Sequence, residues 1–518
     1  MKKILLALLF FLIPLSVWSA TIWTPYYFVD NAGGLNDAYS EFKVGDNEAA
    51  DLQNVVFTTS GSFKTRDGYA KVNSTTLGSS VAATGLFSYK QSDGDSFLVG
   101  VFSDDKIRKM ESNNGPDGTW DDITGSLSFN VTQDTISSFA VGEDIAIIED
   151  GLNSTAPYKW NGSGNAAALG GSPPNCKMVA YHKRQAFCAG NDSNPSTLYF
   201  SDLEDIENWT TGLSGNTLIE TNDGSVIRAI QPGFDALYIW KDKSIWRLSG
   251  DDKDNYVLER MVQDVGTLSP DSVQVVGNDF IFTDGQGDTY LYDGGIKVRI
   301  ISSKIQDTID GANFDRFSEL KTSVFNKDYY LSISSVGNGT NDIVLVFDTF
   351  NLAWTKFDNM NINAMAVANN TLGEEALYFG DYTGFAYEYP SGTNDAGTAI
   401  EMTYITKQYS FPQNGFNKTF RDLNVITQQS GNYNLDVELR TDFESTGTTQ
   451  SIDLSATTSL WDTAVFDVDR YGGENLIVGK IEFGEEGQFF QLKFSNDDLD
   501  EPVEVKGWVA YIEGVDRI

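Results

Sequence analysis

Apolar and polar residues alternate in short runs along most of the chain, and Gly, Asn, Asp and Ser separate the runs. A period of two marks strands with one buried face, and those four residues are the ones tight turns select. Long stretches at helical spacing are scarce. The exception is ISSKIQDTIDGANFDRFSEL, from Ile301 to Leu320, which puts Ile305 and Ile309 on one face and ends at Gly311. The pattern predicts an all-β chain.

Between Val81 and Pro390 a theme recurs: an apolar strand, a polar turn, a second strand, and a closing strand with an aromatic. GLFSYKQSDGDSFLVGVFSDDKIRKM, IRAIQPGFDALYIWKDKSIWRLSG and INAMAVANNTLGEEALYFGDYTGFAYEYP are three of about seven such units. A repeat of roughly 40 to 50 residues is the spacing of propeller blades, so residues 81–390 are expected to form a β-propeller of about seven blades. The closing aromatics Trp160, Tyr199, Trp246, Tyr292, Trp354 and Tyr387 would fill the gaps between neighbouring blades.

Beyond Ser391 the rhythm changes. About seven alternating strands follow, among them KTFRDLNVITQ, TAVFDVD, NLIVGKIEF and VEVKGWVAYIEG, which is the scale of a β-sandwich over residues 391–518. Upstream, residues 21–80 read as an N-terminal arm with a hairpin. Its strands run Val55 to Thr58 and Ser62 to Thr65 about a turn at Ser60 and Gly61, with Phe57 and Phe63 on the two arms. Residues 1–20, MKKILLALLFFLIPLSVWSA, join Lys2 and Lys3 to an apolar run from Ile4 to Leu15 and to small residues at Ser19 and Ala20. That is the secretory signal pattern.

Length and charge narrow the classes. At 518 residues the chain is sized for two to four domains or one large repeat architecture. A net charge of -37 argues against tight binding to a nucleic-acid backbone, because phosphate affinity comes from Lys and Arg displacing counterions. The same charge keeps a protein soluble.

Candidate chemistry is sparse. His182 is the single histidine, in a turn beside Lys183 and Arg184, and it reads as an exposed turn residue. No G-x-S-x-G elbow accompanies it, and one His with two Cys does not match a closed zinc site. Cys176 and Cys188 flank a hairpin turning at His182 to Gln185, a register that places Cys188 opposite Val179. The pair is read as two buried thiols, because a bridge needs a register shift or a bulge. Asp93-Gly94-Asp95 and Asp284-Gly285-Gln286-Gly287-Asp288 read as tight turns, although each offers oxygen atoms that calcium would accept. NNGPDGTWDD approaches the Asp-box turn of sialidases, but Asp117, Gly118 and Trp120 depart from its spacing. Paired carboxylates could serve a glycosidase, and their proximity is not readable from sequence. No catalytic, cofactor-binding or metal residue is assigned.

One long stretch carries more information. AGGLNDAYSEFKVGDNEAADLQNVVFTTSGSFKTRDGY resembles the N-terminal signature of bacteriophage virion proteins: a Gly-Gly-Leu-Asn entry, a strand, a Gly-x-x-x-x-Arg hairpin and a Gly-Tyr. NPSTLYFSDLEDIENWT, FDALYIWKDKSIWRLSG, VGTLSPDSVQVVGNDFIFTDGQGDTYLYDGG and QFFQLKFSNDDLDEPVEVKGWVAYIEG follow in an order similar to that of tail hub or nozzle proteins of short-tailed phages. The resemblance implies a non-enzymatic virion subunit in a six-fold homo-oligomeric ring around the DNA exit channel, without a cofactor and without a membrane. Its partners would be other tail proteins on the adaptor or portal side and the fibres, and DNA would pass without specific binding. Phe57, Phe63, Arg66 and Tyr69 are the candidate oligomer contacts. The signal-like segment departs from a component assembled in the host cytoplasm; it is either a working export signal or a retained apolar arm. The competing readings are an exported propeller hydrolase and a secreted propeller that binds carbohydrate.

Overall fold

Among the described residues seven sheets of four antiparallel strands succeed one another, and each is a propeller blade. The first blade contains Ala83–Lys90, Ser96–Phe102, Lys106–Glu111 and Asp121–Asp122. The last contains Ala364–Asn369, Glu375–Gly380 and Ala386–Tyr389, and takes its fourth strand, Ala70–Lys71, from far upstream. That strand closes the ring. Small residues make the closure tight: Ala364, Ala366 and Ala368 pack with Ala83 and Leu86 of the first blade. The structure is a computed structural model describing residues 23–219, 222, 224–411, 415–428, 431, 433–455 and 476–514. The signal-like residues 1–20 and the expected strand TAVFDVD lie outside the described residues.

The remaining strands among the described residues form two stacked sheets. One runs Val55–Phe57, Phe63–Thr65, Glu504–Gly514, Lys418–Gln428, Leu476–Gly487, with Thr24–Phe28 also paired to Glu504–Gly514. The other runs Ala49–Gln53, Met402–Thr406, Phe490–Asn496, Asn434–Thr441, Thr448–Asp453. Their inner faces alternate as a sandwich requires, and Phe63 stacks on Tyr404 at 4.2 Å in the middle. The arm expected at residues 21–80 is therefore not a separate unit. Four of its strands complete the sandwich, and its last one completes the propeller.

Propeller and sandwich share one core. A single cluster runs from Leu52, Phe63 and Trp508 of the sandwich to Ile281, Leu331, Leu345 and Trp354 of the fifth and sixth blades. Trp354 of the sixth blade donates its indole N–H to the Ile301 carbonyl, directly after the outer strand of the fifth, at 2.8 Å, and so bridges two blades as expected. Trp160 and Tyr292 also fill gaps between blades, the first beside Phe97 and the second beside Tyr238 and Phe280. Tyr199, Trp246 and Tyr387 are half-buried. The helical stretch is shorter than its spacing suggested: Gln306–Asp310 is α-helical, Gly311 caps it, and Phe314–Glu319 is a 3-10 turn. Ile305 and Ile309 are both buried, and the Asp37 carboxylate accepts the N–H groups of Asp307 and Thr308.

Cys176 and Cys188 are bridged, which corrects the reading of two thiols. Val179 does oppose Cys188. A bend at Lys177 then breaks the alternation, so that Cys176 shares a face with Val179 and Cys188 while Met178 turns to the other.

The sixth blade sets two acidic residues at adjoining strand ends. Asp328 begins Asp328–Ile333 and Asp348 ends Ile343–Asp348, next to the paired Tyr329 and Phe347. Burial, then the facing Asp348 charge, pushes the Asp328 carboxyl up to about 7. The folded chain thus holds a proton that an unfolded Asp releases near 4, so Asp328 favours folding below that pH and loses the contribution as pH rises through about 7. Asp328→Asn is expected to raise the melting temperature at pH 8 and to flatten its dependence between about pH 4 and 7. Calorimetry on both chains across that window checks it, and parallel curves would refute it.

Candidate functional site

The four residues singled out in the hairpin lie at the junction of propeller and sandwich. Arg66 is enclosed, and every one of its donors is used. Nη1 and Nη2 meet the two Asp395 oxygens at 2.8 and 2.6 Å, Nε donates to Asn54 Oδ1 at 2.9 Å, and the Asp67 and Asp358 carbonyls accept the remaining two. The guanidinium also lies over the Phe357 ring. Gly68 follows because the linker passes against it: an added Cβ would stand 2.1 Å from the Asn394 carbonyl oxygen. Tyr69 donates its hydroxyl to the Asn359 carbonyl at 2.6 Å. Phe63, Arg66 and Tyr69 are therefore internal struts and offer no surface to a neighbour, which corrects their assignment as oligomer contacts. Phe57 keeps partial exposure while packing on the shared core. Sequence reasoning missed Asn54, Asp358 and Asp395; the available signal was an arginine inside an otherwise apolar hairpin.

The axis of the propeller is closed by polar cross-ties. Lys321, buried at the start of the sixth blade, donates to the Thr84 carbonyl of the first blade at 3.1 Å and pairs with Asp271 at 3.3 Å. Asn363 Nδ2 donates to the Ala83 and Gln133 carbonyls, each at 2.9 Å. Arg316 joins Asp134 and Glu319 at 2.8 and 2.6 Å. Burial pushes the Lys321 ammonium down and the Asp271 carboxyl up, and each opposite charge offsets part of the shift. An axial cavity of about 270 Å³ remains, lined by Leu86, Phe87, Phe139, Ile230 and Gln231 among others. That is room for a small ligand, not for a nucleic-acid strand in transit.

A second recess lies at the open edge of the sandwich. Tyr26, Phe28, Phe42, Tyr409 and Phe411 line a groove of about 540 Å³. The rings pair across it, Tyr26 with Phe411 and Phe28 with Tyr409, each at 4.7 Å. Phe42 is 43% exposed, and Tyr27 beside it is 68% exposed. Asp46 and Lys407 neutralise each other at 3.0 Å. Exposed aromatic surface at a charge-balanced groove is the kind of patch that marks an interaction site.

The other sequence candidates resolve into structure. His182 ends the strand Met178–His182 and is half-buried rather than exposed; burial, then the Lys183 charge, lowers its pKa. Asp93 accepts the Asp95 N–H at 3.0 Å, as a turn does. Asp284 accepts Gln286 N–H and the Tyr290 hydroxyl, Asp381 accepts Thr383 N–H and the Tyr387 hydroxyl, and Asp150 accepts Leu152 N–H and the Tyr158 hydroxyl. One turn anchor is thus repeated in three blades. Among the described residues no group of three or more His, Cys, Asp or Glu side chains could hold a metal ion, and no helix is long and apolar enough to cross a membrane.

No protein-family model matches the chain, and no curated protein matches it. Solved structures that resemble it include YCF48 from Cyanidioschyzon merolae, at 10% identity over 62% of this chain and 98% of that one, with a TM-score of 0.40. BamB from Moraxella catarrhalis is 12% identical over 65% and 92% with a TM-score of 0.36, and the N-terminal domain of Nup159 is 12% identical over 65% and 97% with 0.39. Likeness of this degree carries no argument about activity. The propeller rests on the strand pairing itself.

Removing Arg66 would leave the Asp395 carboxylate buried and uncompensated. Arg66→Met is expected to cost about 3–5 kcal/mol, and Arg66→Lys to recover little, because one ammonium cannot reach all five acceptors. Arg66→Met with Asp395→Leu should be less damaging than Arg66→Met alone. Urea unfolding of the three variants measures this, and a loss below about 1 kcal/mol for Arg66→Met, the scale of an exposed pair, would show that the ties do not matter.

Proposed function

We propose that the chain is a structural subunit of a short-tailed phage tail, a nozzle or hub component whose ring borders the path of ejected DNA. The observation that carries the reading is the junction: the Gly-x-x-x-x-Arg and Gly-Tyr residues of the virion-like signature are the ones that lock propeller to sandwich. A signature devoted to rigidity suits a load-bearing part. The closed propeller axis supports a conduit formed between subunits rather than through one. A ring needs two different surfaces per subunit. The aromatic groove is one such surface, because identical chains of net charge -37 repel except where local charge is balanced. In this reading other tail proteins cap the six-fold ring, acidic residues face its lumen, and DNA slides past without being gripped.

The test is a reconstruction of the assembled particle together with Tyr27→Glu and Phe42→Glu. Both positions are exposed, so the isolated chain should keep its melting temperature while ring formation is lost. A stable monomer in particles, or rings indifferent to both changes, would defeat the reading. The enclosed disulfide favours a second reading, an exported propeller. Intact mass separates the two: a mature chain starting at Thr21 supports export, and a retained Met1 supports the virion arm.

A further inference from the structure

The axial chamber is walled by the first strand of every blade. Phe87 and Phe139 come from the first two, Gln231 and Gln274 from the fourth and fifth, and Met365 from the seventh. Its polar groups are unevenly spent. The hydroxyls are turned into the wall: Ser137 shares a hydrogen bond with Thr84 at 2.8 Å, Ser138 donates to the Val179 carbonyl at 3.4 Å, and Thr322 donates to the Asp271 carbonyl. Gln274 gives its Nε2 to the Thr322 carbonyl at 3.2 Å, which leaves its Oε1 to spare. Gln231 makes no side-chain hydrogen bond among the described residues. Asp271, in the turn Pro270–Ser272 that leads into the fifth blade, lines the chamber with a side chain 33% exposed. One of its oxygens faces Lys321 at 3.3 Å, and the other meets no donor among the described residues.

A wall that has used its side-chain donors and kept acceptors suits a ligand that brings donors, and a spare carboxylate oxygen suits a charged one. The apolar part of the wall agrees. The rings of Phe87 and Phe139 stack at 5.3 Å and lie 2° from parallel, a flat face that takes methylenes and whose quadrupole favours a cation. The chamber is also reachable. Met178 and Pro270 line both it and an open outer pocket of about 310 Å³. There Lys177 is paired with Asp192 and Arg228 with Asp242, each at 2.8 Å, and Asp134 and Glu319 share Arg316. An entering cation therefore meets no unpaired positive side chain among the described residues of that pocket, and the net charge of -37 draws cations to the protein.

We propose that the axial chamber binds a short-chain primary ammonium ion, with the Asp271 carboxylate as its counter-ion, Gln231 and Gln274 as further acceptors, and the paired rings of Phe87 and Phe139 against its methylenes. The volume limits the chain: 270 Å³ is the share of about nine water molecules, room for a few carbon atoms and not for a peptide. Lys321 is buried and tied to the Thr84 carbonyl, so it fixes the carboxylate from one side. The ligand shares its counter-ion with that ammonium, and its affinity is accordingly millimolar rather than nanomolar.

The test is a ligand-observed NMR titration of the whole chain with butylamine, butanol and butyrate, which carry similar short alkyl chains and differ in charge. Butylamine is expected to bind about tenfold more tightly than butanol, the worth of one charge-assisted hydrogen bond, and butyrate not to bind. Equal binding of butylamine and butanol, or none of either, would overturn the proposal, because the carboxylate would then select nothing. Gln231→Trp fills the chamber without removing a charge or a side-chain hydrogen bond, and should abolish binding. Butylamine held as tightly by that chain is adsorbed on the acidic surface, which also sinks the assignment. Asp271→Asn should weaken butylamine about tenfold and leave butanol unchanged. Should that variant fail to fold with Lys321 unpaired, the three probes on the unaltered chain still decide the matter.

Discussion

The pairing of Arg66 with Asp395 is the constraint on which the rest of the structure depends. Asp395 lies in the linker between propeller and sandwich, Asp358 and Phe357 in or beside the sixth blade, and Asn54 in the arm. One guanidinium therefore holds three segments separated by as many as 329 residues in sequence. An enclosed ion pair adds little net stability compared with a well-packed apolar substitute, but it tolerates only one geometry. Its contribution here is orientation. The sandwich cannot rotate on the side of the fifth and sixth blades without parting Arg66 and Asn54 from Asp358.

That constraint explains why the arm is shared. Its backbone lies along Ala353–Phe357, the outer strand of the sixth blade, with Leu35 N–H on the Trp354 carbonyl and Asn54 N–H on the Lys356 carbonyl, both at 2.8 Å. An outer blade strand left bare would be an edge open to other chains. The arm covers it, enters the sandwich as Ala49–Gln53 and the hairpin, and then closes the last blade with Ala70–Lys71. Neither domain is complete without these residues, so the pattern of contacts is strongly non-local.

Period-two patterning made the blades and most sandwich strands legible, because each buries one face and its turns carry Gly, Asn or Asp. The hairpin pairing of Phe57 with Phe63 and the helix stop at Gly311 were readable on the same ground. Outer blade strands such as Asp121–Asp122 and Ala167–Ala168 were not, being two residues long and exposed, with no alternation to detect. The closing role of Ala70–Lys71 was hidden because ring closure is a property of the whole chain. Arg66 was misread for a related reason: charge normally signals exposure, and only the partners 12 to 329 residues away reveal a buried fork. The bridge of Cys176 to Cys188 turned on one bend at Lys177, below what residue spacing can resolve.

The disulfide and the virion reading pull in opposite directions only if oxidation must precede assembly. The two cysteines are twelve residues apart on a local hairpin, so their sulfurs meet whenever that hairpin forms, independently of the distant junction at Arg66. A chain folded in a reducing cytoplasm would carry the same two sulfurs in contact as thiols, with the Glu149 carboxyl beside them. Release into an oxidising medium would then close the bond without moving a blade. An exported chain would close it first and pack the second blade on the third afterwards. Compartment therefore alters the order in which bond and interface form, while the closed arrangement, set by the hairpin register, is common to both histories.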